Sequence, residues 1–397
     1  MKVFAKLENS KNTIRSFEKL SPYVASLNRL FRSPNSSSEE NIINLPFDEN
    51  NIVQVMDFLQ TIDAKNKSHV FIIGIGGSNL GAKAVYDNLF GHLDSLEPNR
   101  LPKLYFLDTL ESKKISKSIS IINENPDKSL IIFISKSATT AESIENYKAL
   151  ESALPEVSKI TIGITSKDSE INFLNPNRIL KFENSIGGRF SVFSAVGILP
   201  IELFGNSIDF LTGGMQTTKE CLDTNFERNP AILSAVTIYE NLKSKNLSIL
   251  DSFYFNPSLE SLGKWTRQIT SESLGKENKG VTPTTSIGTT DLHSIAQLYL
   301  DGPKDKQIQL IGVEKDLENI LLKSIFEGFK SSLSEKSIPV TTIMLETNSE
   351  KEFGSYMQFK IFETLYLAKL MGVSPFGQPA VELYKQRAKE FLANNAL

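Results

Sequence analysis

Residues 74–81 read GIGGSNLG, and they stand between a short apolar run, VFII at 70–73, and a helical pattern, AKAVYDNLF at 82–90. This order predicts a β-strand that ends in a glycine-rich turn and leads into a helix. Such a turn presents free backbone N–H groups at the positive end of a helix, where proteins often hold a phosphate. The stretch therefore predicts a strand–turn–helix unit, and it suggests a phosphate site without establishing one.

Two well-known phosphate loops fit this stretch badly. A dinucleotide-binding fingerprint needs a glycine at position 79, where the chain has Asn79. A Walker loop needs a lysine followed by a hydroxyl, and residues 80–82 are Leu-Gly-Ala. A purely structural glycine turn also remains open, because tight connections need glycine for backbone reasons alone.

Apolar runs alternate with helical patterns in two parts of the chain, which is typical of parallel sheets with helices on both faces. We expect two α/β domains of related layout, each with a mainly parallel sheet flanked by helices. The predicted strands are 69–73, 103–108, 129–135 and 159–165 in the first part, and 248–255, 307–313 and 339–345 in the second. The predicted helices are 82–91, 113–123 and 141–153 in the first part, and 258–271, 315–331, 352–371 and 379–393 in the second.

The same patterns predict the domain borders. Apolar residues with helical spacing near the start of the chain indicate a helical N-terminal extension over residues 1–45. The first α/β domain then covers 46–215, connecting helices cover 216–245, and the second α/β domain with a C-terminal helix covers 246–397.

The composition limits the classes of function. The 397 residues carry 43 basic and 46 acidic side chains, a net charge of −3, without a long basic run, so we expect no nucleic-acid partner. No apolar run approaches the roughly 20 residues of a membrane span, and the first residues lack a signal-peptide pattern, so we expect no membrane association and a cytoplasmic location. One cysteine forms no internal disulfide, and three histidines without helical metal-ligand spacing predict no metal site.

A hydroxyl-rich cluster, SKSATT at residues 135–140, directly follows the predicted strand LIIFI. It combines the hydroxyls of Ser135, Ser137, Thr139 and Thr140 with the ammonium of Lys136. A capped helix start would explain Thr140 alone. The whole cluster favours a site that holds a phosphate monoester without a metal.

Two further segments place charged groups beside glycine. Arg189 follows paired glycines in IGGRFSVFSAVG (186–197), where a guanidinium can reach a carboxylate, a phosphate or a developing oxyanion. Gln268 and Glu272 stand four apart in WTRQITSESLGKE (265–277) and therefore share one helical face. Taken singly, Arg189 also fits a structural ion pair and Glu272 also fits an exposed surface position.

The last third of the chain adds two candidates. His293 follows the polar, glycine-containing stretch SIGTTDL at 286–292. Gln378, Glu382 and Lys385 stand at i, i+4 and i+7, on one face of a predicted helix. By itself this spacing is that of an ordinary helix.

Taken in order, six segments resemble the glucose-6-phosphate isomerase family. The resemblance spans residues 70–386 and implies two sugar-isomerase (SIS) domains and the interconversion of glucose 6-phosphate and fructose 6-phosphate, with no metal and no cofactor. It also implies a homodimer in which His293 reaches the neighbouring subunit's site. The segments are GIGGSNLG, SKSATTAES, GGRFSVFSAVG, ESLGK, GTTDLHSIAQLYLDG and FGQPAVELYK.

The resemblance also implies a role for each matched residue. Glu272 matches the catalytic base, Arg189 matches the arginine near the reacting carbons, and His293 and Lys385 match the residues associated with ring opening. Ser137 replaces the usual threonine of the phosphate loop and keeps its hydroxyl. The residues implied to bind substrate or phosphate are Gly77, Ser78, Ser135, Lys136, Ser137, Thr140, Gln268 and Gln378.

The chain departs from the family pattern at two places. Thr290-Asp291-Leu292 stands where the family has Asn-Gly-Gln, and Pro379 stands where it has tryptophan. The lost bulk leaves open a bifunctional enzyme that also accepts mannose 6-phosphate. The sequence also leaves open a non-catalytic phosphosugar-sensing SIS protein and, on the glycine loop alone, a nicotinamide-dependent dehydrogenase.

Overall fold

Two five-stranded sheets form the framework of the protein, whose computed structural model describes residues 1–5 and 11–395. The strands are β1 (Lys2–Ala5), β2 (His69–Ile73), β3 (Lys103–Leu107), β4 (Ser129–Ile134), β5 (Thr161–Ser166), β6 (Ile179–Phe182), β7 (Ile249–Tyr254), β8 (Thr282–Ile287), β9 (Lys306–Val313) and β10 (Val340–Leu345). The longer helices of the first half are α1 (Lys11–Arg32), α2 (Glu49–Thr61), α3 (Leu80–Leu89), α4 (Ser112–Glu124), α5 (Ala141–Ala153) and α6 (Ala195–Phe204). Those of the second half are α7 (Ser207–Cys221), α8 (Pro230–Lys245), α9 (Glu260–Leu274), α10 (Ala296–Asp301), α11 (Ile320–Glu335), α12 (Glu350–Met371) and α13 (Val381–Asn395).

The two sheets share one strand order. The first runs β3-β2-β4-β5-β6 and is parallel throughout, and His69 pairs with Lys103 on one side and Ser129 on the other. The second runs β8-β7-β9-β10-β1, with only β1 antiparallel to its neighbour. Counted along each part of the chain, both orders are 2-1-3-4-5, with β1 in the fifth place of the second sheet. The predicted α/β class with two mainly parallel, helix-flanked sheets is confirmed.

The central strands form where apolar residues run without alternation, because both of their faces are covered. All six residues of β4 and all eight residues of β9 are buried. Helices on both sides remove these faces from water, as parallel sheets require. The predicted central strands of both sheets are therefore found within a few residues of their expected positions.

Three strands were not predicted, and all three lie at sheet edges. β8 has the polar sequence TPTTSI, and Ser286 is its only buried residue. β6 and β1 each have four residues and only partial burial. β1 lies inside the stretch predicted as a helical extension, and it joins the start of the chain to the second sheet. The helical prediction for that stretch fits α1, while the domain borders stay a prediction.

Helix α12 packs against α7, α8 and α9, and it is buried on almost every side. Where α12 crosses α7, the backbones touch: a Cβ added to Gly354 would lie 1.8 Å from the Phe210 carbonyl oxygen. Within α12, Lys360 and Glu363 form a buried ion pair whose remaining polar groups bond to Gln309 and Ser234. Among the helices of the described residues, none is long and apolar enough to cross a membrane.

The contact at Gly354 gives a stability prediction. Replacing Gly354 with alanine should lower the free energy of unfolding by about 1–3 kcal/mol, because the added methyl group overlaps the backbone of α7 and forces α7 and α12 apart. Urea unfolding followed by circular dichroism measures the change.

Gly328 of α11 is the matched control, since it is a helical glycine with no atom within 4 Å of an added Cβ. Gly328→Ala should raise stability by about 0.5–1 kcal/mol through helix propensity alone. Equal effects of the two substitutions would show that the α7–α12 contact does not constrain position 354.

Candidate active site

Two loops of the first sheet meet where its strand order reverses. The glycine-rich loop, residues 74–78, follows β2, and the hydroxyl loop, residues 135–140, follows the neighbouring strand β4. The two loops touch, since a Cβ added to Gly74 would lie 3.1 Å from the Ile134 carbonyl oxygen. In open α/β sheets this edge is where ligands bind, so both sequence-predicted loops lie at the expected end of the sheet.

The glycine-rich loop packs backbone against backbone on the segment that carries Arg189. A Cβ on Gly77 would lie 2.1 Å from the carbonyl carbon of Gly188. Any residue other than glycine at position 77 would therefore displace the backbone of one of the two segments. The Ser191 hydroxyl donates to the carbonyls of both glycines, at 3.2 Å and 2.7 Å. The Ser78 hydroxyl bonds to no other described residue, which leaves it free for a ligand.

The hydroxyl loop is closed by bonds among its own side chains. Ser135 Oγ and Thr140 Oγ1 lie 2.9 Å apart, and Thr139 Oγ1 donates to Ser137 Oγ at 2.8 Å. Thr140 precedes the first residue of α5, yet its side chain makes no capping bond to that helix. The capping interpretation of Thr140 is therefore wrong, and the four hydroxyls form two bonded pairs next to the positive end of α5.

Lys136 brings the positive charge of the hydroxyl loop. Its carbonyl accepts from the Ser166 hydroxyl at 2.8 Å and from the Thr165 hydroxyl at 3.2 Å, which fixes the backbone on the neighbouring strand β5. Burial lowers the pKa of the Lys136 ammonium, and the carboxylate of Glu39 opposes that shift. A bound dianion would act in the same direction as Glu39.

Glu272 lies near the end of α9 with both carboxylate oxygens held. Gln268, one turn earlier, donates from Nε2 to Oε1 at 3.0 Å, and Arg189 donates from Nη1 to Oε2 at 3.2 Å. The side chain of Glu272 keeps 27% of its surface exposed. The helical spacing of four predicted the first contact, and the carboxylate remains accessible to a ligand.

Gln268 also links Glu272 to the glycine-rich loop. A Cβ on Gly76 would lie 2.9 Å from Gln268 Nε2, so this loop lies directly against the Gln268 amide. The Oε1 atom of Gln268 is buried and bonds to no described residue. Gln268 therefore contacts both Glu272, the candidate base on a helix of the second sheet, and the glycine-rich loop of the first sheet.

Arg189 is buried, with 3% of its surface exposed, and burial lowers the pKa of its guanidinium while Glu272 raises it. All five N–H groups of the guanidinium are in use, because a buried cation requires a full set of partners. The acceptors are Ser273 Oγ for Nε, Glu272 Oε2 and Gln378 Oε1 for Nη1, and the carbonyls of Pro375 and Gly377 for Nη2.

Gln378 therefore joins the Arg189–Glu272 group, with 2.8 Å between its Oε1 and Arg189 Nη1. Lys385 does not join it. Lys385 lies on the exposed helix α13, where its Nζ donates to Glu382 at 2.8 Å, and Glu382 raises its pKa. Glu142, in the first turn of α5, adds to that rise.

His293 lies in an exposed turn, Thr290–His293, and its ring bonds to no described residue. No described contact brings it to Glu272. Asp291, two residues before His293, has a structural role, because its carboxylate accepts a hydrogen bond from the Ile287 N–H at 2.6 Å. A role for His293 across a subunit interface stays a prediction, since one chain is present.

Sequence reasoning missed two residues of the same group, Ser273 and Lys276, and a third residue, Glu39, that acts on the group through its charge. Ser273 and Lys276 belong to the quoted ESLGK segment, so proximity in sequence to Glu272 was a usable signal. Lys276 donates from Nζ to the carbonyls of Ser374 and Phe376, each at 2.6 Å. Glu39 raises the pKa values of Lys136, Arg189 and Lys276, and nothing in its sequence surroundings pointed to the site.

The described residues contain no group of three or more histidine, cysteine, aspartate or glutamate side chains that could hold a metal ion. The functional groups at this site are instead hydroxyls, amides, two lysines, one arginine and one carboxylate. Such a set suits a polar ligand whose only charged group is a phosphate.

Comparison with known proteins identifies the family. Residues 54–296, more than half of the chain, match the family model "Phosphoglucose isomerase". A probable glucose-6-phosphate isomerase of Methanococcus maripaludis is 30% identical over 356 residues, which cover 84% of this chain and 80% of the relative. A glucose-6-phosphate isomerase of Rubrobacter xylanophilus is 28% identical and covers 94% of this chain and 93% of its own length.

Solved structures share the fold at lower identity. A glucose-6-phosphate isomerase of Chlamydia trachomatis superimposes with a TM-score of 0.83 at 17% identity, over 99% of this chain and 88% of its own. A hypothetical protein of Thermus thermophilus superimposes with a TM-score of 0.82 at 24% identity, over 99% and 100% of the two chains. Because the family model matches more than half of its residues and a relative is 30% identical over most of its length, the chain belongs to the phosphoglucose isomerase family.

Proposed function

We propose that this chain is a glucose-6-phosphate isomerase, an enzyme that interconverts the aldose glucose 6-phosphate and the ketose fructose 6-phosphate. Curated relatives that align with most of the chain have this name. The observation that carries the proposal is the carboxylate of Glu272, which is held between Gln268 and Arg189 against the glycine-rich loop and remains partly exposed.

The hydroxyl loop 135–140 binds the phosphate in this proposal. Its hydroxyls and the N-terminus of α5 supply hydrogen-bond donors, and Lys136 supplies a charge. Gln378 supplies a further contact, as the family resemblance implies. Gly77 and the free hydroxyl of Ser78 then border the sugar itself. A charged sugar phosphate does not cross membranes unaided, which favours a cytoplasmic location.

Glu272 acts as the base. Aldose–ketose isomerisation removes a proton from C2 and returns it to C1, and a single carboxylate performs both transfers through a cis-enediol or enediolate intermediate. The bonds from Gln268 and Arg189 fix the rotamer of Glu272, so little ordering remains for the reaction step.

Arg189 stabilises the negative charge that develops on the substrate oxygens. Since all five of its N–H groups already have acceptors, it acts through its fixed, buried charge or through exchange of the Gln378 amide oxygen for the substrate oxygen. A guanidinium that is ordered before the substrate binds costs no reorganisation at the transition state.

Ring opening precedes proton transfer, and His293 and Lys385 are proposed to perform it. Both side chains are exposed and lie outside the Glu272–Arg189 group. This placement is consistent with a homodimer in which the His293 of one subunit completes the site of its partner. Helix α13 exposes several large apolar side chains, which a second subunit would cover; they are Leu383, Tyr384, Phe391 and Leu392.

The proposed base gives the first functional prediction. The purified chain should convert glucose 6-phosphate to fructose 6-phosphate in a coupled assay with a chelator present, and Glu272→Gln should lower kcat by about 10²- to 10⁴-fold. Calorimetry should still detect binding of fructose 6-phosphate to the variant, because the amide preserves the shape of the side chain.

Glu277→Gln is the matched control, an exposed carboxylate beyond the end of the same helix, and it should leave kcat unchanged. Turnover of Glu272→Gln near that of the wild type would exclude Glu272 as the base. Binding without turnover by the wild type would favour a phosphosugar-sensing protein, and equal turnover of mannose 6-phosphate would favour a bifunctional enzyme.

The hydroxyl loop gives the second functional prediction. Thr140→Val removes one hydroxyl at nearly constant shape, so the KM for fructose 6-phosphate should rise about tenfold with a much smaller change in kcat. Thr61→Val, an exposed threonine at the end of α2, should change neither constant. An unchanged KM for Thr140→Val would place the phosphate elsewhere.

A site that two subunits share gives the third functional prediction. Glu272→Gln and His293→Ala subunits should each be inactive as homodimers, yet a mixed dimer should hold one intact site, because both defects fall in the other. Activity should therefore reappear when differently tagged variants are mixed and the mixed dimers are purified. Inactive mixed dimers would place His293 in the site of its own subunit.

A further inference from the structure

The connection between α12 and α13 contains a stretch, residues 374–377, whose four successive carbonyls all accept from cations. Lys276 Nζ donates to the carbonyls of Ser374 and Phe376, each at 2.6 Å. Arg189 Nη2 donates to the carbonyls of Pro375 and Gly377. The two cations thus take alternate carbonyls along the chain.

These bonds replace secondary structure. Helix α12 ends at Met371 and α13 begins at Val381, and no described strand pairs with the residues between them. Two other kinds of contact are present: the Phe376 N–H donates to Ser374 Oγ at 3.3 Å, and the Phe376 ring packs against the hydrophobic core, 5.7 Å from the ring of Phe190. The two cations therefore supply most of the hydrogen bonds that hold the stretch.

The placement of Lys276 is electrostatically costly. Burial lowers the pKa of its ammonium, and the like charge of Arg189 lowers it further, while the carboxylates of Glu39 and Glu272 raise it. Hydrogen bonds to two carbonyls offset this cost, because a charged donor forms stronger bonds than a neutral one. Lys276 is therefore anchored to the stretch.

The stretch leads directly to the site. Gln378 is its next residue, and Gln378 Oε1 accepts from the same Arg189 Nη1 that donates to Glu272. Release of the carbonyls from Lys276 would loosen the stretch, and Gln378 would lose its fixed position on Arg189. The effect of Lys276 on a substrate is thus indirect.

We propose that Lys276 is a positioning residue for the isomerase reaction: together with Arg189 it fixes residues 374–377 and thereby places Gln378 for substrate binding. This inference rests on the proposed function. Lys276 touches neither the substrate nor the reacting atoms, and it acts through the backbone that carries Gln378.

The test compares Lys276→Met and Lys276→Arg with Lys279→Met. Lys279 is the matched control, since it lies in the same turn but only approaches the Gly372 carbonyl, at 3.4 Å, just outside the stretch. In Lys276→Met the KM for fructose 6-phosphate should rise about tenfold, with a smaller change in kcat. Lys276→Arg should recover most of the loss, because it restores a charged donor, and Lys279→Met should match the wild type.

Deuterium uptake by the peptide covering residues 372–380 supplies a readout that needs no activity. Uptake should increase in Lys276→Met and remain at the wild-type level in Lys279→Met. Unchanged KM and unchanged uptake in Lys276→Met would overturn the inference and leave the proposed function standing. A fall in kcat alone, with KM unchanged, would also overturn it.

Failure of the proposed function is separable from failure of the inference. A wild type without isomerase activity would contradict the function, while the uptake measurement would still test the contact of Lys276 with the stretch. Should Lys276→Met fail to fold, Lys276→Gln replaces it, since its neutral amide keeps a donor while it loses the charge, and the same increases in KM and uptake are expected.

Discussion

The arrangement of the site depends on the buried guanidinium of Arg189. A guanidinium keeps its charge under all ordinary conditions, so its burial is tolerable only if each of its five N–H groups has an acceptor. The acceptors come from the end of α9, through Glu272 and Ser273, and from residues 375–378. The requirement to satisfy one cation thus fixes two distant parts of the chain relative to each other.

Close backbone contact supplies the other constraint. Gly77 lies so near Gly188 that no side chain fits between them, and this contact joins the loop after β2 to the segment that carries Arg189. Gln268 on α9 completes the connection by lying against Gly76. The segments that hold the proposed base therefore meet the glycine-rich loop at glycines, where the absence of Cβ atoms permits the approach.

Prediction from sequence succeeded where one local pattern had one physical meaning. Continuous apolar runs identified the central strands, and the spacing of Gln268 and Glu272 predicted their contact, because residues four apart in a helix share a face. It failed at the edge strands β1, β6 and β8, since these three are partly exposed and need no apolar run. The capping alternative for Thr140 is excluded, because its hydroxyl bonds to Ser135 and makes no bond to α5.

The sequence by itself determined the α/β class, the strand–turn–helix units at residues 74–81 and 135–140, and the family resemblance, because each follows from residues that are neighbours in the chain. Only the tertiary structure decided that Arg189, Glu272 and Gln378 share one group, that Lys276 and Arg189 divide the carbonyls of 374–377, and that the N-terminal strand completes the second sheet. Arg189 alone is 83 positions from Glu272 and 189 positions from Gln378. The formation of such contacts depends on how charge is satisfied and volume filled in the folded chain, which local periodicity does not encode.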